Sequence, residues 1–334
     1  MDERQALVRP DIVVIGSSAG GLEPLKQLMC DFPDDLAATV FITVHTGPHR
    51  SLLPDILNYC HALPARHPAN DERIEPRHIY VAPPDMHLLI EGDQVKLSRG
   101  PRENLTRPAI DPMFRSAAHA YGARVIGIIL SGGLGDGTAG LAEIKRCGGI
   151  TLVQDPAEAQ DSSMPHSALQ HVTIDYCLPV QGIAALLLQL LGRTEKLPDP
   201  VARDHPPQPR EKVMSGDYSL MPPKSLICPD CGGALSESNI GAMPYYRCHI
   251  GHSFSAADME AGQFNEMERA LEVGFRIMAE RVALCRRFRK MADETGNTRQ
   301  SEDWQTAEAQ ASERAVTLRR FLDQSWLRPS PVGE

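Results

Sequence analysis

Three side chains of complementary chemistry each follow an apolar run. Ile12–Ile15 leads into Gly16-Ser17-Ser18-Ala19-Gly20-Gly21, Thr39–Val44 into His45, and Val125–Leu130 into Ser131-Gly132-Gly133-Leu134-Gly135-Asp136-Gly137. A serine hydroxyl becomes a nucleophile when an imidazole takes its proton. The imidazole needs an acceptor on its other nitrogen to fix the tautomer and stabilise the imidazolium. Ser18, His45 and Asp136 supply this set, the catalytic candidates being Ser18 as nucleophile, His45 as base and Asp136 as orienting carboxylate. A second cluster, Cys228-Pro229-Asp230-Cys231 followed by Cys248-His249-Ile250-Gly251-His252, has the spacing of a four-ligand metal site.

Spacing alone leaves two readings of the first set open. A glycine-rich turn between strand and helix commonly cradles a phosphate or dinucleotide. Leu22-Glu23 follows Gly21 where a Walker A loop has Lys-Ser/Thr, and Ser18 stands where the Rossmann fingerprint has its second glycine. Gly16-Ser17-Ser18-Ala19-Gly20 meets the G-x-S-x-G spacing of a hydrolase elbow, but His precedes Asp here, the reverse of the α/β-hydrolase order. Serine hydrolase and nucleotide binder therefore stand level on spacing. Ser17 is a rival to Ser18.

The elements that must position these residues read as α/β. Helical spacing over Leu22–Cys30, Leu52–Cys60, Asp111–Tyr121 and Leu141–Cys147 alternates with the three apolar runs and with Thr151–Val153. Ile79–Val81, His87–Ile90 and Gln94–Leu97 form a local antiparallel excursion, with turns at Pro83-Pro84-Asp85 and Gly92-Asp93. The pattern predicts a doubly wound, mainly parallel, Rossmann-like sheet that binds ligands at the carboxyl ends of its strands. Residues 193–224 hold seven prolines among charges and read as a linker.

Composition narrows the class further. With 334 residues and 42% hydrophobic side chains, the chain is long and apolar enough for a sizeable core. The net charge of −9 argues against a nucleic-acid partner and against adhesion to an anionic membrane surface. No apolar run is long enough to span a bilayer, and the amino terminus lacks a secretory pattern, so a cytoplasmic location is expected without membrane insertion. Eight cysteines are too few for a disulfide scaffold. Cys30, Cys60, Cys147, Cys177 and Cys285 lie singly, as buried or free thiols do in a reducing compartment.

At these residues the chain resembles the catalytic domain of the CheB family, the chemotaxis protein-glutamate methylesterases. The family's serine motif is matched by Ile15-Gly16-Ser17-Ser18-Ala19-Gly20-Gly21, its histidine motif by Val44-His45-Thr46-Gly47-Pro48, and its aspartate loop by Leu130 to Gly137. Ile79 to His87, Arg107-Pro108-Ala109-Ile110-Asp111 and Ser163-Met164-Pro165 add support, and the resemblance covers residues 9–192. It implies that Ser18 is acylated by a glutamyl methyl ester on the cytoplasmic helices of a chemoreceptor. Methanol leaves, water completes the hydrolysis, and some members also deamidate glutamine. No catalytic cofactor is implied. The rival reading is a catalytically weak signalling scaffold on the same fold. In the aspartate loop Gly133 replaces the family's usual Met and Leu134 its next Gly, which alters the loop's shape. The stretch before the first strand is too short for the receiver domain that gates well-known members, so phosphorylation of this chain is not the expected switch. Arg107 and Asp111 could steer an acidic substrate. The favoured reading is that Arg107 orders its loop and Asp111 starts a helix beside Pro112.

The C-terminal region divides in two. Residues 225–254 read as a zinc knuckle with Cys228, Cys231, Cys248 and His252 as ligands. His252 fits better than His249, because Cys248-x3-His252 can loop around a metal. A closed four-ligand site would be structural; the alternative is a knuckle that holds no metal. Residues 255–328 read as a helical hairpin. One helix carries Leu271, Phe275, Met278, Val282, Cys285 and Phe288 on a stripe, and the other Ala311, Ala315, Leu318, Leu322 and Trp326. Thr295-Gly296-Asn297 breaks the pair. The hairpin buries its stripe on itself or on the zinc module, or else serves as an oligomerisation element or a docking element for chemotaxis signalling proteins; the basic run Arg286–Lys290 is read as a solvated face in preference to a surface for an acidic partner.

Overall fold

The structure, a computed structural model, describes residues 11–33, 36–45, 51–60, 63–192, 226–240 and 243–326. The linker expected over 193–224 and the Thr46-Gly47-Pro48 part of the histidine motif lie outside the described residues.

The chain opens with β1 (Ile12–Ser17), α1 (Leu22–Cys30), β2 (Thr39–Val44) and α2 (Leu53–Cys60). Short β3 (Ala65–Arg66) and β4 (Glu72–Arg73) precede β5 (Ile79–Val81), β6 (His87–Glu91) and β7 (Gln94–Ser98). Then come α3 (Ile110–Tyr121), β8 (Val125–Ile129), α4 (Thr138–Arg146), β9 (Ile150–Gln154), α5 (Ser163–His171), β10 (Tyr176–Leu178) and α6 (Val180–Leu190). Seven strands form one sheet in the order β10-β9-β8-β1-β2-β5-β3, and every pairing in it is parallel. Of the expected antiparallel excursion, β6 and β7 do form a separate sheet, in the order β4-β7-β6, but Ile79–Val81 is instead β5 of the parallel sheet, paired with β2 and β3, and β4 takes its place.

Alternation along the strands sorts the core into two layers. Val13 and Ile15 of β1 pack with Val40, Ile42, Ile126 and Ile128 beneath α1, α2 and α6, through Leu25, Leu28, Leu57, Ile183 and Leu187. Ile12 and Val14 face the other way, with Phe41, Val125 and Ile129, beneath α3, α4 and α5, through Phe114, Leu141, Ile144 and Met164. Both faces are covered, which is why the strands read as continuous apolar runs. Each fully buried Ile, Leu or Phe contributes roughly 1.5–3 kcal/mol.

Three consequences of the topology matter for the site. β8, β1 and β2 are adjacent in the sheet, so the segments after them emerge side by side. The strand order reverses between β1 and β8, with β2 added on one side of β1 and β8 on the other, which is the switch point where open α/β sheets bind ligands. α4 begins at Thr138 rather than near Leu141, directly after the aspartate loop, with Gly137 at φ +91° as its left-handed entry. Within that loop Leu134 has φ +63°, a conformation favouring the glycine the family usually has there.

The C-terminal strands β11 (Leu235–Ile240), β12 (Met243–Cys248) and β13 (Ser253–Ser255) form an antiparallel ribbon. This ribbon belongs to the same compact unit as the α/β sheet, which extends to Met259. Ser255 caps the helix that follows, accepting a hydrogen bond from the Asp258 amide at 3.2 Å. That helix is α7 (Ala256–Glu294), and α8 (Thr298–Asp323) follows it.

From Glu260 onward the two helices are a second compact unit. Asn297 caps α8 by accepting from the Gln300 amide at 3.2 Å. Phe288 meets Trp304, Phe264 meets Trp326, and Arg286 and Arg289 both pair with Glu308, a register that makes the helices antiparallel. Cys285, Ala292 and Ala311 are buried, whereas Val273, Ile277, Leu284, Met291, Val316 and Phe321 are exposed. No helix among the described residues is long and apolar enough to cross a membrane.

Candidate active site

Ser18 sits on the turn between β1 and α1. Its amide donates to the Ser131 carbonyl at 2.9 Å, tying the serine turn to the loop after β8. Gly132 is small for the same reason: a Cβ there would lie 2.8 Å from Ser18 Cβ and 2.2 Å from Met164 Sδ. Ser17, the rival, is fully buried, and a Cβ on Gly21 would overlap its hydroxyl. Ser17 Oγ has no hydrogen-bond partner among the described residues. The geometry thus separates the two serines, and only Ser18 Oγ is in reach of His45.

His45, at the end of β2, bridges the other two groups. Its Nδ1 is 3.1 Å from Ser18 Oγ and its Nε2 is 2.7 Å from Asp136 Oδ2. The carboxylate partner makes Nε2 the protonated nitrogen and leaves the Nδ1 lone pair facing the serine. Thr106 Oγ1 lies 3.4 Å from Nε2.

Asp136 is 2% exposed, yet it is surrounded by donors. Oδ2 accepts from His45 and from the Ile110 amide at 2.6 Å; Oδ1 accepts from Asn104 Nδ2 at 2.7 Å, the Gly137 amide at 2.9 Å and the Asp111 amide at 3.1 Å. Ile110 and Asp111 open α3, so the carboxylate rests on the positive end of a helix. Burial works against its charge. The hydrogen bond and charge of His45, with the Ile110 and Asn104 bonds, outweigh this and hold the carboxyl below the usual range.

Asp111 behaves in the opposite way. It is completely buried, and burial followed by the Asp136 charge pushes it up to about 8. Its carboxyl accepts from the Gly140 amide at 2.6 Å and from Asn104 Nδ2 at 2.8 Å. Two neighbouring carboxyls are thereby pushed in opposite directions, Asp136 below and Asp111 above the usual carboxylate range. Arg107 is held by Asp85 at 2.6 Å and by the Gly100 and Arg99 carbonyls at 2.8 and 3.2 Å. These contacts are the loop-ordering role favoured for it.

No motif or periodicity marks Asn104, whose amide joins Asp111 to Asp136. It lies between motifs and belongs to no periodic face. Ser255 was also missed, although Ser255-Ala256-Ala257-Asp258 ahead of a helix is a legible capping signal.

The C-terminal candidates also converge. Cys228, Cys231, Cys248 and His252 each aim one ligand atom at a common point, and these atoms lie within 4.8 Å of one another. His249 is exposed and lies over Gly233 instead.

Comparison with known proteins places this architecture. The family model described as CheB methylesterase matches residues 13–187, just over half of the chain. A Leptospira interrogans protein (strain Fiocruz L1-130), provisionally named protein-glutamate methylesterase/protein-glutamine glutaminase, is 36% identical over 186 residues, which are 54% of this chain and 94% of that protein. A protein-glutamate methylesterase/protein-glutamine glutaminase of Geobacter metallireducens is 34% identical over 192 residues, 56% of this chain and 55% of its own length. The crystal structure of the Thermotoga maritima CheB methylesterase catalytic domain superposes with a TM-score of 0.52 at 31% identity, covering 55% of this chain and all of that one. Fold, matched segment and relatives agree: the chain belongs to the CheB methylesterase family of carboxylic-ester hydrolases.

Proposed function

We propose that this protein hydrolyses glutamyl methyl esters on the cytoplasmic helices of methylated chemoreceptors, using Ser18, His45 and Asp136. The single observation that carries the assignment is the position of His45, 3.1 Å from Ser18 Oγ and 2.7 Å from Asp136 Oδ2. In the proposed reaction Ser18 Oγ attacks the ester carbonyl while His45 Nδ1 takes its proton. The oxyanion would draw on backbone N–H groups of the glycine turn and on the positive end of α1. Collapse returns the proton from His45 to the leaving methoxide, releasing methanol and leaving an acyl-serine. Water, deprotonated by His45, then attacks, and glutamate and free Ser18 are restored. The same steps on a glutamine side chain would release ammonia, the second activity in the relatives' names. Asp136 stays ionised throughout and stabilises the imidazolium.

Methanol release from methylated chemoreceptor membranes, compared between the wild type and Ser18→Ala, tests the proposal. Release by the wild type and none by the variant is expected. A folded wild type inactive on several receptors would overturn it and favour the signalling scaffold.

A further inference from the structure

We infer that Cys228, Cys231, Cys248 and His252 bind one zinc(II) ion, and that the metal-closed ribbon braces the segment carrying Asn104, and through it the Asp136 carboxylate. The inference stands apart from the esterase reading, because it concerns metal content and backbone protection.

Zinc bonds of about 2.3 Å to sulfur and about 2.05 Å to nitrogen require ligand atoms about 3.8 Å apart for S···S and about 3.6 Å for S···N. Cys231 Sγ and Cys248 Sγ are 3.7 Å apart, and His252 Nδ1 is 3.7 Å from Cys228 Sγ and 3.5 Å from Cys248 Sγ. A disulfide would need about 2.05 Å between sulfurs, so the cysteine pair is not bonded. Each ligand pair lies on a tight turn closed by a glycine at positive φ. The Gly232 amide donates to the Cys228 carbonyl at 2.8 Å and the Gly251 amide to the Cys248 carbonyl at 3.0 Å, with φ +71° and +108°. On the far side of the imidazole, His252 Nε2 is 4.0 Å from an Asp230 oxygen, at the outer limit of an ion pair.

The ribbon touches the segment that carries Asn104. β13 follows His252 directly and runs alongside residues 102–104. The Asn104 amide donates to the Ser253 carbonyl at 2.7 Å, and the Ser255 amide donates to Asn104 Oδ1 at 3.0 Å. Asn104 is thereby fixed at its carbonyl end by the ribbon, while its Nδ2 serves Asp111 and Asp136. Tyr245 of β12 donates to Glu103 at 3.2 Å, Leu105 packs on the Cys228–Phe254 cluster, and a Cβ on Gly135 would press on Ser255 Oγ. Asn104 and Leu105 are both left-handed, at φ +50° and +63°, a strained pair that persists only where its surroundings hold it.

The experiment uses the full chain. Elemental analysis after passage over a chelating resin should find about one zinc per chain, lost in Cys231→Ser and kept in Cys147→Ser. A wild type below about 0.2 zinc per chain, or a Cys231→Ser that keeps its zinc, would overturn the metal site. Hydrogen exchange with and without a strong chelator tests the brace. Peptides over 102–111 should lose protection about tenfold on zinc removal and regain it on zinc addition, while β1 and β8 keep theirs. Unchanged exchange over 102–111, or loss spread equally over β1 and β8, would overturn the brace.

Discussion

Replacing Asp136 with asparagine removes one charge and leaves the volume of the side chain nearly unchanged. Five donors converge on the carboxylate, two at Oδ2 and three at Oδ1. An asparagine can accept at only one of these positions. With its amide nitrogen facing His45, it forces the imidazole to accept at Nε2, which places the proton on Nδ1 against Ser18 and removes the base. With the nitrogen at the other position, three donors face two hydrogens. The amide therefore settles toward His45 and inverts the tautomer. The lost charge adds to this. With the imidazolium and carboxylate centres about 4 Å apart and an effective dielectric near 20, the interaction is about 4 kcal/mol, or three decades of rate. Asp136→Asn should therefore lower kcat by about 10³–10⁴-fold with little change in KM. The assay is methanol release from methylated receptor membranes, with circular dichroism to verify folding. A folded Asp136→Asn retaining more than about a tenth of wild-type kcat would refute the assignment of Asp136.

Other outcomes follow from the same geometry. Ser17→Ala removes a buried hydroxyl without a partner among the described residues, so it should keep activity within about twofold and leave stability equal or up to about 1 kcal/mol higher; abolished methanol release would make Ser17 the nucleophile. Leu134→Gly should relieve a left-handed leucine worth about 1–2 kcal/mol, offset by about 0.5–1 kcal/mol of glycine flexibility, and so raise the melting temperature by about 1–3 °C. A lower melting temperature would show that the Leu134 side chain contributes more than its backbone costs. Asp111 and Asp258 are carboxyls whose folded values, about 8 and about 7, lie above their unfolded value near 3.8. At these two groups the folded state then binds more protons than the unfolded state between about pH 4 and pH 8, so their contribution to stability is greatest at the acidic end and is lost as pH rises through that window. Asp111→Asn should flatten that slope in thermal melts, and an unchanged slope would refute the raised value.

Much of the α/β unit was legible because its strands are covered on both faces and flanked by glycine turns. β1, β2 and β8 announce themselves as apolar runs, and the polar residue after each lands on a common edge because these strands are neighbours. The start of α4 was less legible, since Thr138, Ala139 and Gly140 carry no apolar signal although all three are buried. α5, β10 and α6 were not singled out; α6 is apolar nearly all round, so it lacks the two-faced pattern that marks a surface helix. The ribbon was visible only through its Cys and His spacing. Nothing local could disclose that Ser253 and Ser255 meet residues 102–104, because pairing across the chain is set by shape and not by period.

That pairing also orders events during synthesis. Asn104 waits for a donor 151 positions further along the chain. At about 5–20 residues per second the ribosome adds those residues over roughly 8–30 seconds. During that interval a nascent chain can bring β1, β2 and β8 together and set Ser18, His45 and Asp136 side by side, while the 102–104 segment still lacks its seam. The site would thus assemble early and be locked late. Mature activity would appear only after the ribbon has emerged, and slow translation past residue 136 would prolong a state in which the hydrolase is formed but unfastened.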